Sequence, residues 1–210
     1  MRTATKEYKV YKYNELSEGA KAEVKRWYLD GQEPCIFTDM CKDDLYNLFG
    51  KNDLKLQYSL SYSQGDGLNI YGKIGAKQII DCLEKHNGGT QLEKFENVLT
   101  DKEKRTILHY AKECRDIELL SNNHYEYCLA DYIDIKDDWS YDLEVYSNYK
   151  NINMEVLEKF ETLVREIFLE LCKGYEQIGY EYFYEISDED LEEECEANEY
   201  EFYEDGKFFK

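Results

Sequence analysis

The sequence predicts an α+β fold: an antiparallel sheet built from hairpins, with helices packed on one face, forming a single domain over residues 1–210. Three observations carry this expectation. Residues from Leu54 to Ile70 alternate apolar and polar with a period of two across a Gly-rich turn, whereas Met154 to Tyr175 repeats apolar residues every three to four positions. The chain also has one Pro and no Gly/Ser-rich stretch, so nothing in it reads as a linker between domains.

Taken in order, Lys6–Tyr13 alternates charged with aromatic or β-branched residues, the pattern of a half-buried strand. Asn14 or Ser17 then caps a helix with Ala20, Val24, Trp27 and Tyr28 at helical spacing, ended by Gly31 and Pro34. A second helix is expected from Thr38 to Phe49, with Asp39, Asp43 and Asp44 suiting its positive end and Gly50 stopping it. In the first hairpin Leu54, Leu56, Tyr58, Leu60 and Tyr62 share a face that Leu68, Ile70 and Gly72 continue after Ser63-Gln64-Gly65-Asp66-Gly67. Two Gly and one Asp supply the positive φ values and local side-chain bonds of a tight connection, leaving Gln64 and Asp66 at an exposed tip for partner contact.

Ala76–His86 reads as a helix with Ile79, Ile80 and Leu83 inward, closed by Asn87-Gly88-Gly89. Residues 92–114 read as largely helical, broken near Thr100-Asp101, where Thr100 and Glu103 have the spacing of a capping box. A second hairpin is expected over Ile117–Ile135 about Asn122-Asn123, while Asp131 to Ser147 has no assignable pattern. The strongest helix carries Met154, Leu157, Phe160, Leu163, Val164, Ile167, Phe168, Leu171 and Tyr175 over about six turns, and must pack on the sheet. Beyond Gly179 alternation returns; Ser187 then caps an acidic helix, and Tyr200–Phe209, with Asp205-Gly206, forms an edge strand or small hairpin.

The totals narrow the function. The chain is 42% hydrophobic but includes 21 Tyr, so the rim of its core should be wet. No apolar run approaches the roughly 20 residues that span a bilayer, and the first ten residues lack the apolar centre of a secretion signal, so a soluble cytoplasmic protein is expected. The seven Cys, at 35, 41, 82, 114, 128, 172 and 195, include no C-x-x-C pair and read as free, mostly buried thiols. With 46 Asp and Glu against 26 Lys and Arg, the formal net charge is −20. Such a chain repels a phosphate backbone and attracts basic partners, which argues against direct nucleic-acid binding.

No residue is marked as catalytic, and no metal or cofactor is expected. Ser63–Gly67 leads into a strand, lacks Lys and carries a carboxylate, unlike a phosphate loop. His86, His109 and His124 stand apart, and Glu192, Glu193 and Glu194 are consecutive and fan over different helix faces. Asp131, Asp134, Asp137 and Asp138 lack the order of a calcium loop. Between Gly174 and Gly206, in an acidic, aromatic segment spanning 174–210, there is no Lys or Arg. Tyr180, Phe183, Tyr184, Tyr200, Phe202 and Tyr203 interleave with its carboxylates, so the segment should fold. It reads either as a solvated helix face or as a mimic of DNA, in which Asp188, Glu189, Glu192, Glu193, Glu196, Glu199 and Glu201, with Gln64 and Asp66, meet Arg and Lys of a partner.

Three segments carry a resemblance. Tyr13-Asn14-Glu15-Leu16-Ser17-Glu18-Gly19-Ala20-Lys21 followed by Trp27-Tyr28, the Ser59–Gly67 hairpin, and Asn198-Glu199-Tyr200-Glu201-Phe202-Tyr203-Glu204-Asp205-Gly206 resemble a family of small acidic phage and prophage proteins. In that family Y-x-E-L-S-E-x-A-K, S-Q-G-D-G and N-x-Y-x-F-T-E-D-G occur in this order; here Tyr203 stands in place of the Thr. The resemblance implies a counter-defence role, such as inhibition of a host nuclease or CRISPR effector. An antitoxin-like protein masking a basic toxin, or an enzyme acting on a nucleotide signal, are the alternatives.

Overall fold

The computed structural model describes residues 6–85, 91–112, 116–121, 133–136, 139 and 153–209. The fold is α+β: the described elements are helices and one three-stranded antiparallel sheet. Contacts divide the chain into two compact units, one made of residues 1–34 and 179–210, the other of residues 35–178.

In the larger unit, helix α2 (Pro34–Phe49, its first residue belonging to the other unit) precedes strands β1 (Asp53–Ser59) and β2 (Gly67–Ile74), then α3 (Ala76–Lys85). A 3-10 turn (Glu93–Phe95), α4 (Asp101–Ala111) and β3 (Ile117–Leu119) follow, and then α5 (Met154–Tyr184), whose last six residues lie in the smaller unit. β2 is central, with Leu56 opposite Ile70 on β1 and Ile74 opposite Ile117 on β3. The period-two reading of the first hairpin holds because Leu54, Leu68 and Ile70 must leave water while Lys55 and Gln57 need not. On that face, Phe37 of α2 meets the Tyr58 ring edge-on at 5.2 Å, and Thr38 Oγ1 lies 2.9 Å from the Tyr58 hydroxyl. Phe49 stacks on Phe168 of α5, and the Tyr175 hydroxyl donates to Asp44 at 2.6 Å. The apolar stripe of α5, from Leu157 to Tyr175, is buried throughout.

Several expectations need correction. The second helix opens at Pro34, four residues before Thr38, because a proline lacks the N–H that the first helical turn leaves unused. β1 ends at Ser59, so Leu60 is buried in the loop and Tyr62, with a φ of 55°, is exposed. Gly174 and Gly179 do not interrupt α5, which runs to Tyr184 where alternation was expected. Of the second hairpin, β3 and the Leu119–Ile135 bridge are seen; its Asn122-Asn123 turn lies outside the described residues, as do Asn87-Gly88-Gly89. Thr100 does cap α4, its hydroxyl accepting from the Glu103 N–H while the Glu103 carboxylate accepts from the Thr100 N–H at 2.7 Å.

In the smaller unit a 3-10 turn (Tyr13–Glu15) leads into α1 (Glu18–Asp30), capped by Ser17 and followed by Gly31. After the end of α5 comes α6 (Asp188–Ala197), capped by Ser187, whose hydroxyl accepts from the Asp190 N–H at 3.0 Å. Tyr13, Leu16, Ala20, Val24, Leu191, Cys195 and Phe202 form the core. Trp27 stacks on Phe208 at 4.5 Å and meets Tyr200 and Phe202 edge-on. The expected strand over Lys6–Tyr13 does not form. Tyr11 and Phe202 exchange both backbone hydrogen bonds, and the ladder stops there because Tyr13 turns into the 3-10 helix and residues 203–207 fold back in a tight turn. Tyr200–Phe209 accordingly makes a small hairpin with a single Phe202–Phe208 bridge.

Candidate functional site

The two motifs at opposite ends of the sequence meet in the smaller unit. Leu16 and Ala20, from the first, pack with Phe202 of the second, and Gly206 sits with a φ of 83° where a Cβ would be driven into the Ala20 carbonyl oxygen. Asp205 holds the turn, accepting from the Lys207 N–H at 3.2 Å and from its ammonium at 2.6 Å. α6 stops by a left-handed residue: Glu199 has a φ of 54°, its N–H donates to the Glu196 carbonyl and the Tyr200 N–H to that of Cys195. Glycine is the usual occupant of such a position; here it is a glutamate, displayed on the surface.

This framework displays the acidic face. Only Leu191 and Cys195 of α6 are buried; Asp188, Glu189, Glu193 and Glu196 are exposed and Glu192 is half-buried. Asp188 lies 3.8 Å from Lys25 of α1. Among the described residues the carboxylates of Glu189, Glu192, Glu193, Glu196 and Glu199 have neither an ion pair nor a hydrogen bond. Glu201 is half-buried beside the hairpin, its carbonyl accepting from the Phe209 N–H at 2.8 Å. The seven predicted acids of α6 and the following turn therefore belong to one unit, on or next to one helix.

Gln64 and Asp66 do not join them; they lie in the larger unit. Gln64 is exposed as expected. Asp66 is a correction: it is 7% exposed and turned inward. Its carboxylate accepts from the Ser61 and Ser63 N–H groups at 2.5 and 2.9 Å and from the hydroxyls of Ser59, Ser61 and Ser63. Burial alone would raise its pKa, but the Ser63 and Ser61 N–H groups and the Ser63 and Ser59 hydroxyls outweigh it and hold the group well below the usual carboxylate range. The loop needs Asp66 to satisfy its own backbone, which leaves that carboxylate committed.

Tyr13, a strand residue and the start of a terminal motif by sequence, is a core residue of the smaller unit. It is 2% exposed, and its hydroxyl is buried with no hydrogen-bond partner. Burial, reinforced by the charges of Asp188, Cys195, Glu18 and Glu192, pushes its pKa up to about 12. It lines a notch of about 10 Å³ together with Lys12, Asn14, Glu192, Cys195, Glu196 and Tyr200. No sequence signal announces this, because a buried hydroxyl without a partner is a property of packing.

Reactive chemistry is not assembled among the described residues. No group of three or more His, Cys, Asp or Glu there could hold a metal ion. Cys41, Cys82, Cys172 and Cys195 are buried free thiols, and burial pushes Cys41 and Cys172 up to about 12 and Cys82 and Cys195 to about 11, so they stay protonated and unreactive. Cys35 is exposed; Cys114, Cys128, His86, His124, Asp131, Asp137 and Asp138 lie outside the described residues. No described helix is long and apolar enough to cross a membrane. No protein-family model, curated protein or solved structure matches the chain.

Proposed function

We propose that the chain is a non-enzymatic phage or prophage counter-defence protein. It acts in the cytoplasm of a bacterial host, where its acidic face occupies the basic nucleic-acid cleft of a nuclease, a CRISPR effector. The observation that carries this reading is the set of unpaired carboxylates held on an ordered, capped helix. α6 places seven Asp or Glu in ten residues, about one charge per 2 Å of helix axis, against one per roughly 1.7 Å for duplex DNA. A basic cleft shaped for phosphates meets a similar linear charge density, and both sides shed counterions. Leaving Glu189, Glu192, Glu193 and Glu196 unpaired costs the free protein self-repulsion that a cationic partner relieves. The phage setting rests on the resemblance of the end motifs, which here build the unit that displays the charge.

The test replaces Glu189, Glu193, Glu196 and Glu199 with Lys. Wild-type protein should displace labelled DNA from the host's CRISPR effector, less effectively as salt rises, and the variant should not. Equal displacement by the variant would remove the acidic face from the mechanism. Capture of a small basic protein in place of a nuclease, from host lysate at low salt, would redirect the reading to an antitoxin.

A further inference from the structure

The notch beside Tyr13 gives the acidic face an anchor. Resting on the reading above, we propose that it receives a single ammonium group, the side-chain terminus of a partner lysine, and discriminates against the guanidinium of arginine.

The notch lies between the 3-10 turn and α6, within the smaller unit. Its volume of about 10 Å³ admits one water-sized group, which an ammonium matches and a planar guanidinium exceeds. Glu192 and Glu196, four residues apart on α6, supply two carboxylates from the same helix face, and neither has a partner among the described residues. Tyr200 adds an aromatic wall. The second, independent observation is the Tyr13 hydroxyl. It belongs to a residue that lines the notch, is buried, and among the described residues lacks the acceptor or donor that a buried hydroxyl normally finds.

A neutral phenol oxygen can accept a hydrogen bond from an incoming ammonium, and the carboxylates of Glu192 and Glu196 line the same notch. The hydroxyl is sealed in the free protein, and a rotamer change of Glu192 or Glu196 opens it. Lys12, on the rim, forms no ion pair among the described residues, and Lys21, 5.6 Å over the Tyr13 ring, is engaged by Glu18 at 3.3 Å.

Fluorescence anisotropy with labelled octalysine and octaarginine at low salt tests this on the full chain. Wild type should bind octalysine about tenfold more tightly than octaarginine, the worth of one charge-assisted hydrogen-bonded site. Tyr13→Phe should erase that preference by weakening octalysine alone, and Glu192→Gln with Glu196→Gln should erase it while weakening both peptides. Because the hydroxyl has no partner in the free protein, Tyr13→Phe should unfold at the same temperature as wild type or higher. Equal affinity for the two peptides would overturn the notch and leave the acidic face standing, whereas failure of both peptides to bind would overturn both. A lowered unfolding temperature for Tyr13→Phe, or a loss shared equally by the two peptides, would also overturn the notch.

Discussion

The two units carry the same formal charge, −10 each, but the smaller one has 66 residues and the larger 144. The smaller unit has 19 acids and 9 bases, the larger 27 and 17. The ion pairs of the two units also differ in reach. In the larger unit acids are tied across elements: Glu84 to Lys104, Glu103 to Lys159, Glu170 to Lys94, and Glu118 to Lys73 and Lys136. Glu161, though buried, is paired with Arg165. In the smaller unit Lys21 and Arg26 of α1 serve Glu18 and Glu23 of the same helix, Lys207 serves its neighbour Asp205, and among the described residues Lys25 alone is paired with an acid of α6. The lesson is that net charge alone does not distinguish one surface from another; carboxylates left unpaired on a rigid element do, and the proposed function rests on them.

The sharpest way to break this contrast is to remove the core beneath the acidic helix. Phe202→Ala should cost about 3–5 kcal/mol, since the ring is fully buried against Trp27 and Phe208. Residue-resolved hydrogen exchange should find α1 and α6 losing protection ahead of β1 and β2; uniform loss along the chain would mean that the two units are energetically one. Salt comes next. Screening should relieve α6, raising its amide protection by about 1 kcal/mol between low and high salt, while α4, tied through Glu103 and Lys104, gains nothing or loses slightly. Parallel responses in the two helices would end the comparison.

Acid should act on the paired unit through Glu103. The Lys159 ammonium, with the N–H and hydroxyl of Thr100, lowers its pKa to about 2. A carboxylate whose folded pKa lies below its unfolded value stabilises fully above the unfolded value, and that contribution is lost as pH falls through about 2. Glu103→Gln should therefore lower the thermal midpoint at neutral pH and make no difference once pH is below about 2; a difference that persists there would assign the effect to packing. The smallest change expected is at the end of α6. Glu199→Gly should stabilise the protein by about 1 kcal/mol, because glycine takes a φ of 54° without the penalty a side chain incurs. Denaturant titration checks the sign, and a loss would show that the glutamate side chain contributes something the backbone argument omits.

Local rules read well here wherever the stabilising partner was itself local. Ser17, Thr100 and Ser187 cap the helices they were expected to cap, since a cap needs only a hydroxyl two or three residues ahead of an N–H. The β1–β2 hairpin and the stripe of α5 followed from periodicity. Lys6–Tyr13 misled because alternation marks a segment able to pair, whereas pairing depends on what the distant segment around Phe202 presents. Asp66 misled because a turn residue looks exposed in one dimension, yet the loop's own N–H groups claimed it.

By itself, the sequence determined the α+β class, the helix caps at Ser17, Thr100 and Ser187, the first hairpin and the concentration of carboxylates after Gly174, because these depend on neighbours within a few residues. Tertiary structure alone decided that the two terminal motifs share one core, that Asp66 turns inward and that the Tyr13 hydroxyl is buried without a partner among the described residues. Each of those depends on which distant groups share a desolvated space, and no period or motif in a chain encodes that directly.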